Sequence, residues 1–189
     1  HPNLKVKILG SLKIKVAVHQ PKDSKCLQVL GVVESTRESL IEFVSLFNFL
    51  ADSIPNVEFT LRIHPGLDQR TSNQILKKLL TLKNLRISTE TLVEDLQRTH
   101  IGVFRSSAVG LEGLAFGVLP VHFDASHFNY LNPLKYTKME KFEFSEAKIL
   151  ADFLNQKPLD LNSSQSFQEE CINVLSDYFY PMKSITSLI

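Results

Sequence analysis

The sequence is poor in cysteine, with Cys26 and Cys171 alone among 189 residues. They lie far apart and neither has a nearby Cys or His, which excludes the clustered patterns of disulfide scaffolds and zinc sites. This usage favours a reduced, cytosolic protein over a disulfide-bonded one. We expect no structural metal.

An excess of charge and long apolar runs are also lacking. The 21 basic and 20 acidic side chains leave a net charge of +1, which offers no electrostatic footprint for nucleic acid or an acidic membrane surface. No apolar run approaches the roughly 20 residues that a membrane helix needs, and no signal peptide is visible. We therefore expect neither a nucleic-acid partner nor a membrane-spanning segment.

Several nucleotide and hydrolase motifs are missing as well. No GxGxxG, GxxxxGK[ST], GxSxG or DxD pattern occurs, which argues against a dinucleotide oxidoreductase, a P-loop enzyme, a nucleophile-elbow hydrolase and a metal–diphosphate carboxylate pair. We expect no resident cofactor.

What the sequence does contain is a globular composition, with 43% apolar and 22% charged residues. Such a chain folds, and its length predicts one domain. Residues 1–25 alternate lysines with apolar residues before a proline-containing break, and we read them as a leading segment or linker to a domain at 26–189. Because the chain starts at His1 rather than at Met, we expect a longer protein.

From Cys26 to Asp124, apolar β-forming runs alternate with segments of helical periodicity. Strand and helix alternate five times, with connections of about two to six residues. Two more helices follow, within "SEAKILADFLNQK" and "SQSFQEECINVLSDYFYP". The pattern predicts a single Rossmann-like, doubly wound α/β domain with a mainly parallel sheet and a helical C-terminal tail.

Polar residues follow each predicted strand, at 34–37, 64–66, 88–90, 105–107 and 124–126. In an open α/β sheet, ligands bind at the carboxyl ends of the strands. Two serines, Ser106 and Ser107, are predicted to open a helix of small residues, where free N–H groups bind phosphate; a plain N-cap is the structural alternative. Glu112, further along that helix, could hold ribose hydroxyls or face solvent.

The stretch "RIHPG" brings His64 to the end of another predicted strand. This imidazole faces either a phosphate or structural partners. Arg37 and Arg105 follow two other strands and could add positive charge beside a phosphate; for Arg37, an ordinary surface charge is the alternative.

Taken in order, Arg62, His64-Pro65, Glu94-Asp95-Leu96 and Ser106-Ser107 resemble a motif set of bacterial glycosyltransferases of the GT-B architecture. The HP and SS motifs resemble those of bacterial sialyltransferases, in which they hold the cytidine nucleotide. The order of the motifs also resembles that of capsule and teichoic-acid transferases. The spacing from Ser106 to Glu112 resembles the S-G-G-x-x-x-E helix of nucleotide-sugar epimerases, with Ala108 at the second glycine. The acidic motif of the sialyltransferases is not visible.

This resemblance spans about residues 27–124 and implies the C-terminal, donor-binding lobe of a metal-independent glycosyltransferase in surface glycan synthesis. The donor would be a CMP- or UDP-linked sugar, and an N-terminal lobe of the same protein would hold the acceptor, so this stretch alone is not expected to be active. His64 would be catalytic, and Pro65, Arg37, Arg105, Ser106, Ser107 and Glu112 would bind the nucleotide or its phosphate.

Three alternatives stay open: a glycerophosphotransferase lobe, a nucleotide-sugar epimerase lobe, and a non-catalytic scaffold module. The expected location is the cytoplasm, with peripheral attachment to the inner membrane as a variant.

Overall fold

A computed structural model describes residues 26–78, 82–125, 132–135, 137–156 and 164–178. These residues form one six-stranded sheet with helices between the strands. The predicted leading segment, residues 1–25, lies outside the described residues.

The described elements follow the predicted alternation. The strands are β1 (Leu27–Val32), β2 (Val57–Arg62), β3 (Leu85–Ile87), β4 (Ile101–Phe104), β5 (Leu119–Phe123) and β6 (Glu143–Phe144). The helices are α1 (Arg37–Ser53), α2 (Gln69–Leu76), α3 (Leu92–Arg98), α4 (Val109–Leu114), α5 (Ala147–Asn155) and α6 (Gln165–Tyr178), with a 3₁₀ helix at Lys138–Phe142. The sequence predicts β1 to β5; β6 is an addition.

The sheet has the strand order β3-β2-β1-β4-β5-β6, and every described strand pair is parallel. The chain winds outward from β1 to β3, then crosses back and winds outward again from β4. The order therefore reverses between β1 and β4, which is the position where open α/β sheets bind ligands. The predicted doubly wound, parallel α/β fold is confirmed.

Both faces of the sheet are covered by helices. On β1, Val29 packs into the larger core on the side of α1, whereas Leu30 and Val32 point to the opposite face. There they contact Leu96 of α3 and Val118, which precedes β5. Apart from Gln28, β1 is apolar along its length, as is typical of a parallel strand that is covered on both faces. The polar groups that follow it lie beyond its carboxyl end.

The close fit of α1 on the sheet depends on a glycine in β1. The Phe47 ring lies 5.8 Å from the Phe59 ring and 6.1 Å from the Phe43 ring, measured between centroids. A Cβ added to Gly31 would lie 2.3 Å from Phe47 Cζ. Since carbon atoms do not approach so closely, the aromatic cluster requires glycine at this position.

Helix α4 ends at a glycine in the left-handed conformation, as the sequence predicts. Gly117 has φ 69° and donates its N–H to the Leu114 carbonyl at 3.1 Å. The Val118 N–H bonds to the Gly113 carbonyl at 3.0 Å. This is the Schellman pattern, and it turns the chain directly into β5.

Within the described ranges, no helix has the length and apolar character needed to cross a membrane.

Candidate functional site

The carboxyl ends of the parallel strands form one edge of the sheet, which we call the rim. Glu34, Ser106 and His64 follow β1, β4 and β2 at corresponding positions of the strand register. Neighbouring strands lie about 4.8 Å apart, so His64 and Ser106 flank the end of β1 with about 10 Å between their chain positions. The structure thus brings two predicted site residues to opposite sides of the switch point.

Glu34 occupies the space beside Ser106. The Ser106 N–H donates to Glu34 Oε1 at 2.8 Å, and the Ser106 hydroxyl donates to the same oxygen. The Glu34 N–H in turn donates to Ser39 Oγ at 3.1 Å. Two donors that the sequence assigns to a phosphate are therefore held by a carboxylate of the chain.

Arg105 lies beneath the rim, and its side chain is 1% exposed. Its Nη1 pairs with the Glu42 carboxylate, and its Nε lies 3.9 Å from Glu34 Oε2. The Ala125 N–H donates to Glu42 Oε1 at 3.4 Å. Burial raises the pKa of the Glu42 carboxyl above its ordinary value, and the Arg105 guanidinium opposes that rise.

The His64 side chain is exposed and is oriented by its own turn. The Gly66 N–H donates to His64 Nδ1 at 3.0 Å. An Nδ1 that accepts a hydrogen bond leaves the proton of the neutral ring on Nε2. A Cβ added to Gly66 would lie 3.9 Å from Ser35 Cβ, so this turn packs beside the end of β1.

The two serines lie in the loop before α4 rather than in its first turn. Helix α4 begins at Val109, and the Val109 N–H donates to Ser107 Oγ at 3.2 Å. A serine hydroxyl that accepts a hydrogen bond from the backbone N–H two residues later forms a turn. Helix α4 therefore begins after this turn. Glu112 is half-buried within α4.

The remaining two predicted binding residues are exposed. Arg37 is the first residue of α1, whose N-cap Thr36 accepts the Ser39 N–H at 3.2 Å. Pro65 lies in the turn after His64. Arg37 therefore begins the helix that follows β1, and Pro65 lies in the turn that follows β2.

Two residues of the motif set, Arg62 and Asp95, form an ion pair. Arg62 Nη1 lies 2.7 Å from Asp95 Oδ2 and 2.8 Å from the Glu90 carbonyl oxygen. The Ser88 hydroxyl donates to the same Asp95 oxygen at 2.6 Å. The Asp95 side chain is 4% exposed, so this contact fastens the end of β2, two residues before His64, to α3.

Next to the rim, β5 contributes a buried histidine. The His122 ring lies 5.9 Å from the Phe104 ring between centroids, and its Nδ1 lies 3.5 Å from Glu143 Oε2. Burial lowers the pKa of His122 below its ordinary value, and the Glu143 carboxylate opposes that change. Its ring therefore stays neutral more readily than an exposed imidazole.

Sequence reasoning does not find Glu42, the partner of Arg105. Its signal is weak: a glutamate next to the buried Phe43 in an otherwise apolar stretch of α1. A carboxylate in that position needs a cation nearby, but the sequence does not identify which one. For the part of the chain that is described, no group of three or more His, Cys, Asp or Glu side chains has the arrangement of a metal site.

No protein-family model matches the chain, and neither does any curated protein sequence. Solved structures do share its fold. The C-terminal domain of the glycosyl transferase group 1 family protein LpcC from Francisella tularensis is 12% identical, with a TM-score of 0.52; the likeness covers 89% of this chain and 100% of that one.

Two longer proteins are also similar. S. aureus TarM is 15% identical with a TM-score of 0.55 over 98% of this chain. The Thermobaculum terrenum O-GlcNAc transferase is 17% identical with a TM-score of 0.57 over 84% of this chain. The chain spans 39% and 35% of their respective lengths.

At such identities the likeness establishes the fold alone, so the similarity to bacterial sialyltransferases and the roles of the HP and SS motifs stay predictions. The six described parallel strands and their flanking helices form a fold similar to that of the LpcC C-terminal domain. The chain has a Rossmann-like α/β fold, similar to that of the C-terminal domain of a glycosyl transferase group 1 family protein.

Proposed function

We propose that this chain is the donor-binding lobe of a metal-independent glycosyltransferase that uses a nucleotide sugar in surface glycan synthesis. The observation that carries the proposal is the position of His64 and Ser106 on the two sides of the β1 end, at the switch point of the sheet. Ligands of open α/β sheets bind at this position. A second lobe of the same protein would supply the acceptor, and the enzyme would work in the cytoplasm or at the periphery of the inner membrane.

In this proposal, the loop after β4 binds the phosphate. The Ser106 and Ser107 hydroxyls and the loop N–H groups supply hydrogen-bond donors, and the exposed Arg37 adds positive charge from the start of α1. Arg105 acts through its charge from beneath the rim, since its side chain is buried. Helix α4 has six residues, so side chains and loop N–H groups, rather than a long helix dipole, carry the binding.

His64 would donate a hydrogen bond from Nε2 to the phosphate. The Gly66 N–H occupies Nδ1, so Nε2–H is the donor that the ring presents to solvent. Negative charge grows on the phosphate as the bond to the sugar breaks, and a fixed donor stabilises that charge most in the transition state. Pro65 restricts the turn that holds the ring, and Glu112 would accept hydrogen bonds from the ribose.

The donor would be a UDP-linked or a CMP-linked sugar. The S. aureus TarM structure that shares this fold is a complex containing UDP, which supports testing uridine nucleotides first. Cytidine nucleotides follow from the sequence resemblance to sialyltransferases.

A nucleotide panel tests the proposal: CMP, CDP, UMP, UDP and GDP titrated into this chain without added metal, followed by calorimetry or NMR. We expect one nucleotide to bind and the Ser107→Ala variant to bind it at least several-fold more weakly. Binding that is unchanged in Ser107→Ala would remove the β4 loop from the site.

The role of His64 needs turnover measurements on the longer protein. Asparagine at position 64 keeps an acceptor near Nδ1 for the Gly66 N–H, whereas glutamine places an amide donor near Nε2. We expect H64N to lower kcat about tenfold or more, as for the loss of a positioned donor, with a smaller change in donor affinity, and H64Q to retain more activity. Normal turnover in H64N would exclude His64 from the mechanism.

One observation favours a second candidate, a non-catalytic module of the same fold. The donors of Ser106 are held by Glu34, and Arg105 is paired with Glu42, as in a rim that serves structure alone. A longer protein that binds no nucleotide in the same panel would support this scaffold.

A further inference from the structure

We infer that Glu34 is an internal ligand of the rim: its carboxylate fills the position of one anionic group of the substrate, and a phosphate binds at Ser106 only after the Glu34 side chain has moved away. This inference rests on the proposed function, whose phosphate it locates. It makes Glu34 a specificity-determining residue of the donor site.

The contacts of Glu34 are those of a bound anion. One oxygen, Oε1, accepts both the N–H and the hydroxyl of Ser106, the N–H at 2.8 Å. The other oxygen, Oε2, lies 3.9 Å from Nε of the buried Arg105. A backbone N–H, a hydroxyl and a guanidinium around one carboxylate form a donor set that phosphate also prefers.

The charged groups around Ser106 disfavour the binding of a second anion beside Glu34. Arg105 contributes one positive charge, while Glu34 and Glu42 contribute two carboxylates, and Asp124 lies close enough to act on Glu42. A phosphate placed beside these carboxylates would be repelled strongly, because water is partly excluded there. Phosphate and the Glu34 carboxylate are therefore alternatives at Ser106 rather than neighbours.

The exchange requires little of the backbone. The Glu34 N–H is held by Ser39 Oγ at 3.1 Å, and Ser39 is fully buried, so the main chain at the β1 end is fixed. The Glu34 side chain is 13% exposed and reaches solvent at the rim. A rotation of this side chain alone exposes the Ser106 donors.

The test compares E34Q with wild type, using UDP and CMP as probes and uridine and cytidine as their phosphate-free counterparts. Glutamine keeps the shape and removes the charge. We expect E34Q to bind the preferred nucleotide about tenfold more tightly, about 1.4 kcal/mol, with no change for the nucleoside. E38Q is the matched control, because Glu38 is an exposed glutamate in the first turn of α1; it should change affinity less than about twofold.

Binding that appears in E34Q but not in wild type would also support the inference. Nucleotide binding that is equal or weaker in E34Q would overturn it and leave the proposed function standing. If neither protein binds any of the nucleotides, the comparison is repeated in the longer protein; if that also binds none with either residue at position 34, the proposed function itself fails, and the inference fails with it. E34A, which removes the acceptor altogether, repeats the comparison should E34Q fold poorly, with urea unfolding as the check on both variants.

Discussion

Substitution of Asp95 tests how much its ion pair with Arg62, at the end of β2, contributes to the free energy of unfolding. Its carboxylate is 4% exposed and accepts hydrogen bonds from Arg62 and Ser88. Removing one partner of a fully buried ion pair costs about 3–5 kcal/mol. Arg62, however, is 24% exposed and keeps its bond to the Glu90 carbonyl, so its charge is not stranded when Asp95 is removed. We therefore expect D95A to lower the free energy of unfolding by about 2–3 kcal/mol.

Urea unfolding followed by circular dichroism measures this difference. D95N keeps one acceptor and should lose less, about 1–2 kcal/mol. Q97A, an exposed substitution in the same helix, is the control and should stay within about 0.5 kcal/mol of wild type. A double-mutant cycle with R62A isolates the pair. If D95A stays within about 0.5 kcal/mol of wild type, or if the R62A and D95A losses simply add, the ion pair does not hold the end of β2.

Two further predictions concern packing and protonation. A Cβ at Gly110 would lie 2.5 Å from Phe104 Cζ, so G110A should lower the free energy of unfolding by about 1–3 kcal/mol in urea; wild-type stability would contradict this packing. Because burial lowers the pKa of His122 from its ordinary 6.5, the unfolded chain binds the proton more readily. Stability should then fall as the pH drops below about 6.5. H122F should reduce this loss in urea series between about pH 7.5 and 5, and an unchanged pH dependence in H122F would show that His122 is not its source.

Local periodicity is sufficient to predict most of the fold. The change from β-forming runs to helical spacing locates β1 to β5 and α1 to α4. Most of these elements bury a face, and the period of that face is visible in the sequence; β3, which has no buried residue, is the exception. Strand β6 escapes prediction because it has two residues, Glu143 and Phe144, too few for any period. Its position depends on pairing with His122 and Phe123, which is tertiary information.

The site is predicted less completely for the same reason. Strand ends are visible in the sequence, so His64, Ser106 and Arg105 could be named as rim residues. The sequence does not show which carboxylate pairs with which cation, because Glu34 and Glu42 contact Arg105 from other elements of the fold. The late start of α4 also depends on a side-chain contact, the bond from the Val109 N–H to Ser107 Oγ.

Because the strand order reverses between β1 and β4, the two halves of the sheet are joined along the β1–β4 pair. Beside the β1–β4 ladder, Gln28 and His100, which are 72 positions apart, are joined by two hydrogen bonds: the Gln28 N–H donates to His100 Nδ1, and the His100 N–H donates to the Gln28 carbonyl. His64 belongs to the first half of the chain and Ser106 to the second, so a ligand held by both acts as a cross-link over that long loop. Such a ligand would shift the equilibrium against separation of the two halves in proportion to its concentration and affinity. Slower amide exchange in β1 and β4 would then report occupancy of the rim by a ligand.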